Sequence, residues 1–107
     1  LESDEFDRFT VPPCRHCGGT LKPDVVFFGE SVPGERVQTA LSWLDHADAM
    51  LVVGSSLMVY SGYRYARHAA ARGIPIAALN IGRTRADDLL ALKIEAPCAE
   101  ALAACIR

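Results

Sequence analysis

The chain has 107 residues, which is the size of one modest domain or of a piece of a larger protein. Its composition, 50% hydrophobic and 22% charged, is typical of a globular protein and argues against disorder. A net charge of −2 argues against nucleic acid and anionic membrane as partners, and no apolar run approaches the ~18 residues of a membrane span.

Residues 1–23 are polar and contain several prolines and a Gly-Gly pair, which predicts irregular structure. Cys14 and Cys17 have the C-x-x-C spacing with which two thiolates bind one zinc ion, but a structural zinc needs four ligands. Cys98 and Cys105 are candidates for the other two, although Cys105 is more simply a small core residue. Two disulfides are the alternative, and the C-x-x-C spacing favours a reduced, intracellular setting.

From Asp24 onward the sequence alternates between predicted strands and helices. The first strand is the apolar run Val25–Phe28, which Gly29 ends, and the i, i+3, i+4, i+7 spacing of apolar residues predicts a helix over 34–46. The rest of the prediction is a strand over 49–53, a helix over 61–72, a strand over 74–79, a short helix over 86–90, a strand over 92–95 and a helix over 99–106.

Apolar strands that alternate with helices predict an α/β fold in which a parallel sheet carries helices on both faces. This arrangement corresponds to half of a doubly wound domain. Ligands in such domains bind at the carboxyl ends of the strands. Three segments follow predicted strands and are therefore the places where we expect a site: Gly29-Glu30, Gly54–Ser56 and Asn80–Gly82.

Two of these segments suit a nucleotide. Gly54 permits close approach of the backbone, and Ser55 and Ser56 offer hydroxyls beside free amides, a combination that suits a phosphate or a ribose. The amide of Asn80 suits a ribose hydroxyl. Both segments also suit ordinary turns, and the G-x-G-x-x-G fingerprint of dinucleotide-binding proteins is absent.

His16, His46 and His68 are the candidate metal ligands or general bases. None of them lies beside a nucleophile, so solvated or helix-capping histidines are the simpler interpretation. Residue chemistry alone therefore predicts a nucleotide-binding α/β domain whose function stays open.

Four motifs follow one another in a fixed order. They are Cys14-x-x-Cys17-Gly18-Gly19, Leu21-Lys22-Pro23-Asp24-Val25-Val26-Phe27-Phe28-Gly29-Glu30, Val52-Val53-Gly54-Ser55-Ser56-Leu57-x-Val59 and Leu79-Asn80-Ile81-Gly82. In this order they resemble the carboxyl-terminal part of a sirtuin, an NAD-dependent protein lysine deacylase. The variants Gly54-Ser55-Ser56 and Val59-Tyr60-Ser61-Gly62 resemble the class II branch, which has bacterial and mitochondrial members.

The resemblance implies a division of the chain. Residues 1–23 would be the remnant of a zinc-binding module, with Cys14 and Cys17 as one of its two pairs of structural zinc ligands. Residues 24–107 would be the carboxyl-terminal half of a Rossmann-like NAD-binding domain. The same resemblance implies a location in the bacterial cytoplasm or, in a eukaryote, in the mitochondrial matrix.

The resemblance also implies roles for two sets of residues. The first set would contact NAD: Gly54, Ser55, Ser56, Asn80, Ile81, Gly82 and Cys98. The second set would hold the substrate, a protein or peptide with an acylated lysine, as an added strand through main-chain hydrogen bonds: Phe28, Gly29, Glu30, Leu57, Met58 and Val59.

No catalytic residue is assigned within the chain. Sirtuins carry the catalytic histidine in a His-Gly pair before the zinc module, and His16, His46 and His68 all lack that context. We therefore expect a fragment that is inactive alone and that self-associates if two cysteine pairs share one zinc. The alternative is a small stand-alone module that binds a nucleotide or interacts through zinc.

Overall fold

The computed structural model describes residues 9–106. The chain divides into two compact units, Leu1–Ser31 and Val32–Arg107. None of the helices within the described residues is long and apolar enough to cross a membrane.

The described part of the first unit is built around a cysteine turn. The Cys14 N–H donates to the Gly19 carbonyl over 2.9 Å, and the Gly18 N–H donates back to the Cys14 carbonyl over 2.8 Å. An isolated antiparallel bridge joins Pro13 to Thr20 on either side of the turn. The predicted irregular structure is therefore a tight hairpin that holds Cys14 and Cys17 at its tip.

The predicted buried strand Val25–Phe28 is wrong. The segment forms no strand, and the Phe28 side chain is 97% exposed. Its amides bond locally: Val25 N–H donates to the Pro23 carbonyl over 2.8 Å, and Phe27 N–H donates to Glu30 Oε2 over 3.1 Å. Because these donors are used within the segment, they are not available to a neighbouring strand.

The second unit confirms the other predicted elements, with bounds that shift by one or two residues. The longest are two helices of equal length, α1 and α2. In chain order the elements are α1 (Gly34–Asp45), β1 (Met50–Val53), α2 (Tyr60–Ala71), β2 (Ile76–Leu79), a 3-10 turn (Asp87–Leu89), β3 (Leu92–Ile94) and α3 (Cys98–Cys105).

The strands form one parallel sheet in the order β1-β2-β3, which confirms the predicted α/β fold. Helix α2 packs on one face through Ala66 and Ala69, both fully buried. Alanine has no side chain beyond Cβ, so the helix backbone can come close to the sheet. Val52, Ile76 and Ala78 complete this core from β1 and β2.

The second face of the sheet carries apolar side chains that the described residues cover only in part. Leu51 is 61% exposed, and Leu92 is 55% exposed. The register pairs Leu51 with Ala77 and Ala77 with Leu92, so these side chains lie in one row across the sheet. Val53 and Ile94, which are also exposed, belong to the same face.

The carboxyl-terminal helix departs from expectation at Cys105. The sequence predicts a small core residue there, whereas Cys105 is exposed in the structure. It is the last residue of α3, and no later element within the described residues packs over it.

Candidate functional site

The sheet register brings two of the predicted strand-end segments together. Val53 pairs with Leu79, and Leu79 pairs with Ile94, so all three strands end side by side. The Gly54 N–H donates to the Leu79 carbonyl over 2.9 Å. In the same way the Asn80 N–H donates to the Ile94 carbonyl over 3.1 Å. The parallel arrangement therefore continues one residue beyond the strands, into the loops.

Gly54 lies against Cys98. Gly54 has a φ of +62°, in the left-handed region that disfavours side chains, and a β-carbon placed on it would lie 3.3 Å from Cys98 Sγ. The Cys98 thiol faces the Leu79 carbonyl at 3.6 Å. A side chain at position 54 would therefore meet the Cys98 sulfur first.

After Gly54 the chain makes a strained turn. The Ser55 Oγ accepts the Leu57 N–H over 3.2 Å, and Leu57 has a φ of +54°. A left-handed leucine is uncommon and is held only where the surroundings fix it. The Leu57 side chain is buried, whereas Met58 and Val59 are exposed.

Arg85, which the sequence analysis did not single out, is bonded twice to this turn. Its N–H donates to the Ser56 carbonyl over 2.8 Å, and its Nη1 donates to the Met58 carbonyl over 3.0 Å. The guanidinium lies 4.4 Å from the centre of the Tyr63 ring. A residue from the loop after β2 thus fixes the loop after β1.

The loop after β2 is held by a second residue that the sequence analysis missed, Glu95. Its Oε1 accepts the Gly82 N–H over 3.1 Å. Asn80 Nδ2 donates to the Ile81 carbonyl over 3.1 Å, which leaves the Asn80 amide oxygen free to accept a bond. Ile81 is exposed, so this loop presents a half-buried amide beside an apolar side chain.

A polar network holds the later part of the loop after β2. The buried Thr84 hydroxyl donates to Asp87 Oδ1 over 2.7 Å, and Lys93 Nζ donates to Asp87 Oδ2 over 3.0 Å. These bonds, first the one from Thr84, hold the pKa of Asp87 at about 2. Asp87 therefore stays ionised and links β3 to the loop.

Of the two residues that hold these loops, Glu95 and Arg85, only Glu95 has a sequence signal, and it is weak. Glu95 follows β3 directly, so its position at the carboxyl edge follows from the fold once β3 is placed. Arg85 has no such signal, because its partners Ser56 and Met58 precede it by a whole helix and strand. Contacts of this kind depend on the register of the sheet and on the path of both loops.

The cysteine turn has the chemistry of half a metal site. The backbone N–H groups of His16 and Cys17, followed by the Cys17 side chain, lower the pKa of Cys14. Donors that point at a sulfur favour the thiolate, which is the form that binds metal. Among residues 9–106 no group of three or more histidine, cysteine or acidic side chains is arranged to hold a metal ion.

The predicted substrate residues of the first unit form a compact turn. The Glu30 carboxylate accepts the Phe27 N–H and lies 3.3 Å from Lys22 Nζ. The Phe28 side chain and Gly29 are exposed at the tip of this turn. The turn therefore presents an aromatic side chain that nothing in the described part of the unit covers.

The histidines of the second unit have structural partners. His46 Nδ1 lies 2.7 Å from the Ser42 carbonyl, so its N–H caps the end of α1. His68 Nε2 bonds to Asp45 and joins α2 to α1, and this bond is the main reason why the pKa of Asp45 is lowered. Neither ring is poised beside a nucleophile.

Comparison with known proteins places the chain in a family. The model of the family described as "SIR2: Sir2 family" matches residues 2–61, more than half of the chain. The chain is 67% identical over 103 residues to an "NAD-dependent protein deacetylase" from Bordetella pertussis, and the match covers 96% of the chain and 38% of that protein. A protein of the same name from Xanthomonas campestris is also 67% identical over 103 residues, with 35% of its length covered.

Solved structures agree with these sequence relatives. The structure titled "Sir2-p53 peptide-NAD+" matches 96% of the chain with a TM-score of 0.76 at 29% identity, and 43% of its own length is covered. A structure described as "Structural Basis for the Mechanism and Regulation of Sir2 Enzymes" matches 92% of the chain with a TM-score of 0.74 at 36% identity, and 40% of its length is covered. The chain thus spans little more than a third of the curated relatives and less than half of these structures, and it belongs to the Sir2 family.

Proposed function

We propose that the chain is the carboxyl-terminal part of an NAD-dependent protein deacetylase and contributes half of its NAD site. The observation that carries this proposal is the meeting of Gly54, Asn80 and Cys98 at the carboxyl edge of the sheet. Relatives that are 67% identical to the chain carry the name NAD-dependent protein deacetylase. In α/β sheets of this type the carboxyl edge is where nucleotides bind.

The residues at this edge fit a nucleotide. Gly54 leaves its backbone open to close approach, and Ser56 is an exposed residue. The Ser55 oxygen accepts one bond and keeps its hydrogen to donate, and the amide oxygen of Asn80 remains an acceptor. Ribose hydroxyls and a diphosphate need this mixture of acceptors and donors. NAD supplies the ADP-ribose group to which the acyl group of lysine is transferred.

The segment Leu57–Val59, in which Met58 and Val59 are exposed, fits a substrate peptide. Within residues 9–106 the Leu57 carbonyl and the Val59 N–H have no hydrogen-bond partner. The Val59 carbonyl, by contrast, accepts bonds from the first turn of α2. A peptide that carries an acetylated lysine would pair with the two open groups as an added strand. The exposed turn Phe28–Glu30 would provide a second contact.

Cys14 and Cys17 fit a structural zinc ion, which would need two more ligands from outside residues 9–106. The zinc would cross-link the hairpin to another segment and take no part in acyl transfer. No described side chain is assigned as the general base. We also propose a cytoplasmic location, because the named relatives are bacterial and cysteine thiols suit a reducing compartment.

The test is a nicotinamide-release assay with NAD and an acetyl-lysine peptide. The complete reading frame that contains these residues should release nicotinamide, whereas the 107-residue chain alone should not, because general-base catalysis needs a base within reach of its proton. In the complete protein Asn80→Ala should weaken NAD binding by about 1 kcal/mol, the contribution of one hydrogen bond.

Two outcomes would count against this proposal. NAD binding without acyl transfer by the complete protein would favour a nucleotide-binding module instead. Turnover by the 107-residue chain alone would mean that one of its own histidines, with His68 as the first candidate, acts as a base.

A further inference from the structure

Among residues 9–106, Arg85 is the one residue outside the turn Gly54–Val59 that bonds to it twice. Its backbone N–H bonds to the Ser56 carbonyl, and its side chain bonds to the Met58 carbonyl. These two contacts lie on either side of Leu57, whose left-handed backbone needs support from its surroundings. Arg85 and the Ser55 hydroxyl together provide that support.

The guanidinium of Arg85 is itself held in place. It stacks on the Tyr63 ring with 4.4 Å between its central carbon and the ring centre. Tyr63 belongs to α2, which packs on the sheet through Ala66 and Ala69. The position of the Met58 carbonyl is therefore set by a chain of contacts that reaches the rigid core.

The bond to Met58 also decides which backbone groups face outward. A trans peptide points its C=O and N–H in opposite directions, so a Met58 carbonyl that faces Arg85 turns the Val59 N–H away from Arg85. The Leu57 carbonyl and the Val59 N–H are among the groups of this segment that remain open within the described part of the chain. They are the groups that the proposed function assigns to the substrate peptide.

We propose that Arg85 is a positioning residue for substrate: its guanidinium holds the Met58 carbonyl and thereby presents the Leu57 carbonyl and the Val59 N–H to the peptide. This inference rests on the proposed deacetylase function. The two bonds of Arg85 have separable effects. The backbone bond to Ser56 survives any substitution except proline, whereas the side-chain bond to Met58 needs the guanidinium. Loss of the side chain should therefore affect peptide binding and spare NAD binding.

The test uses the complete reading frame and measures KM for an acetyl-lysine peptide, KM for NAD and kcat. Arg85→Ala should raise the peptide KM about tenfold, which corresponds to ~1.4 kcal/mol, without a change in the KM for NAD. The peptide KM of Arg85→Lys should fall between those of the wild type and Arg85→Ala, because lysine keeps a cation over Tyr63 but not the planar fork of arginine.

Arg83→Ala is the matched control. Arg83 lies in the same loop and carries the same charge, but within residues 9–106 no hydrogen bond or ion pair to its side chain is formed. The control should keep both KM values. Equal peptide KM values in Arg85→Ala and Arg83→Ala would overturn the proposal, and so would an equal rise of both KM values in Arg85→Ala, since that would be general damage to the fold.

Hydrogen exchange gives a readout that does not need activity. Without NAD or peptide, the Leu57 amide, which is bonded to Ser55 Oγ, should exchange faster in Arg85→Ala or Arg85→Lys than in Arg83→Ala, and unchanged exchange would overturn the proposal. A wild-type protein that transfers no acetyl group would instead overturn the proposed function and the substrate role with it. The exchange result would then still show whether Arg85 holds the turn.

Discussion

At the scale of single residues, two glycines in the same backbone conformation differ in their surroundings. Gly54 and Gly73 have φ values of +62° and +71°. A β-carbon on Gly73 would meet nothing within 4 Å, whereas one on Gly54 would meet the Cys98 sulfur at 3.3 Å. Gly73 ends α2, as its place after the helix predicts, and Gly54 ends β1 at the candidate site.

Alanine substitutions at Gly54 and Gly73 distinguish the cost of backbone strain from the cost of crowding against the Cys98 sulfur. Gly73→Ala should lower the free energy of unfolding by about 1 kcal/mol, the cost of a left-handed alanine, without an effect on NAD binding. Gly54→Ala should lower the free energy of unfolding further and also weaken NAD binding, because the Cys98 sulfur must move. Urea denaturation and calorimetry measure the two effects. The double variant Gly54→Ala/Cys98→Ala should be more stable than Gly54→Ala and should approach the stability of Gly73→Ala. Equal losses of unfolding free energy in Gly54→Ala and Gly73→Ala would contradict crowding by the Cys98 sulfur.

At the scale of elements, the loop after β2 depends on a carboxylate that links it to β3. Hydrogen bonds from Thr84 and Lys93 hold the pKa of Asp87 at about 2, below its ordinary value of 3.8. A pKa that is lower in the folded state means that the ionised carboxylate stabilises the fold. That stabilisation is complete above pH 3.8 and is lost as the pH falls towards 2.

Asp87→Asn should therefore be less stable than the wild type at neutral pH, and the difference should shrink as the pH falls from 3.8 to 2. Thermal unfolding at a series of pH values measures it. Asp88→Asn removes a carboxylate from the adjacent, exposed position and should show no such dependence. A constant difference between wild type and Asp87→Asn across this range would mean that the carboxylate charge is not what holds the loop.

The elements show which parts of the fold the sequence predicts. Helix α1 was predictable because its apolar spacing places Val37, Leu41 and Leu44 on one half-buried face. The run Val25–Phe28 has the residue types of a strand, but a strand also needs a neighbour, and its amides bond to Pro23 and Glu30 instead. Residue types within a segment do not reveal that choice.

The candidate site, like the fold, was predictable only in part. Gly54 and Asn80 follow from the rule that ligands bind where parallel strands end. Arg85 and Glu95 do not follow from any local pattern, because their contacts exist only once β1, β2 and β3 are in register. The sequence thus indicates the loops of the site, whereas the residues that fix those loops become visible in the structure.

At the scale of the whole molecule, the chain has the features of a part of a larger assembly. The sheet leaves an apolar face partly uncovered at Leu51 and Leu92, and we propose that Cys14 and Cys17 supply half of a zinc site. Exposed apolar surface of this kind usually marks an interface. Both features agree with a chain that covers 38% of a relative.

Zinc stoichiometry tests the second feature. The 107-residue chain should bind no zinc, or one zinc between two chains, because two thiolates leave half of the coordination shell to water. Native mass spectrometry gives the count, and Cys14→Ser should abolish any shared zinc. Tight binding of one zinc by a single chain would contradict the assignment of Cys14 and Cys17 to half of a site.

The bonds at the carboxyl edge of the sheet join each loop to a strand that comes later in the chain. The Gly54 N–H bonds to the Leu79 carbonyl, and the Gly82 N–H bonds to the carboxylate of Glu95, which follows β3. These contacts are single hydrogen bonds from the exposed residues Gly54 and Gly82 and bury little apolar surface, so they do not offset the entropy of loop closure by themselves, and we expect the edge to take shape after the core of β1, β2 and α2. Substitutions at the edge would then speed unfolding and leave the folding rate unchanged. The ligand site would thus govern how long the native state lasts, whereas the buried alanines and branched residues govern how fast it is reached.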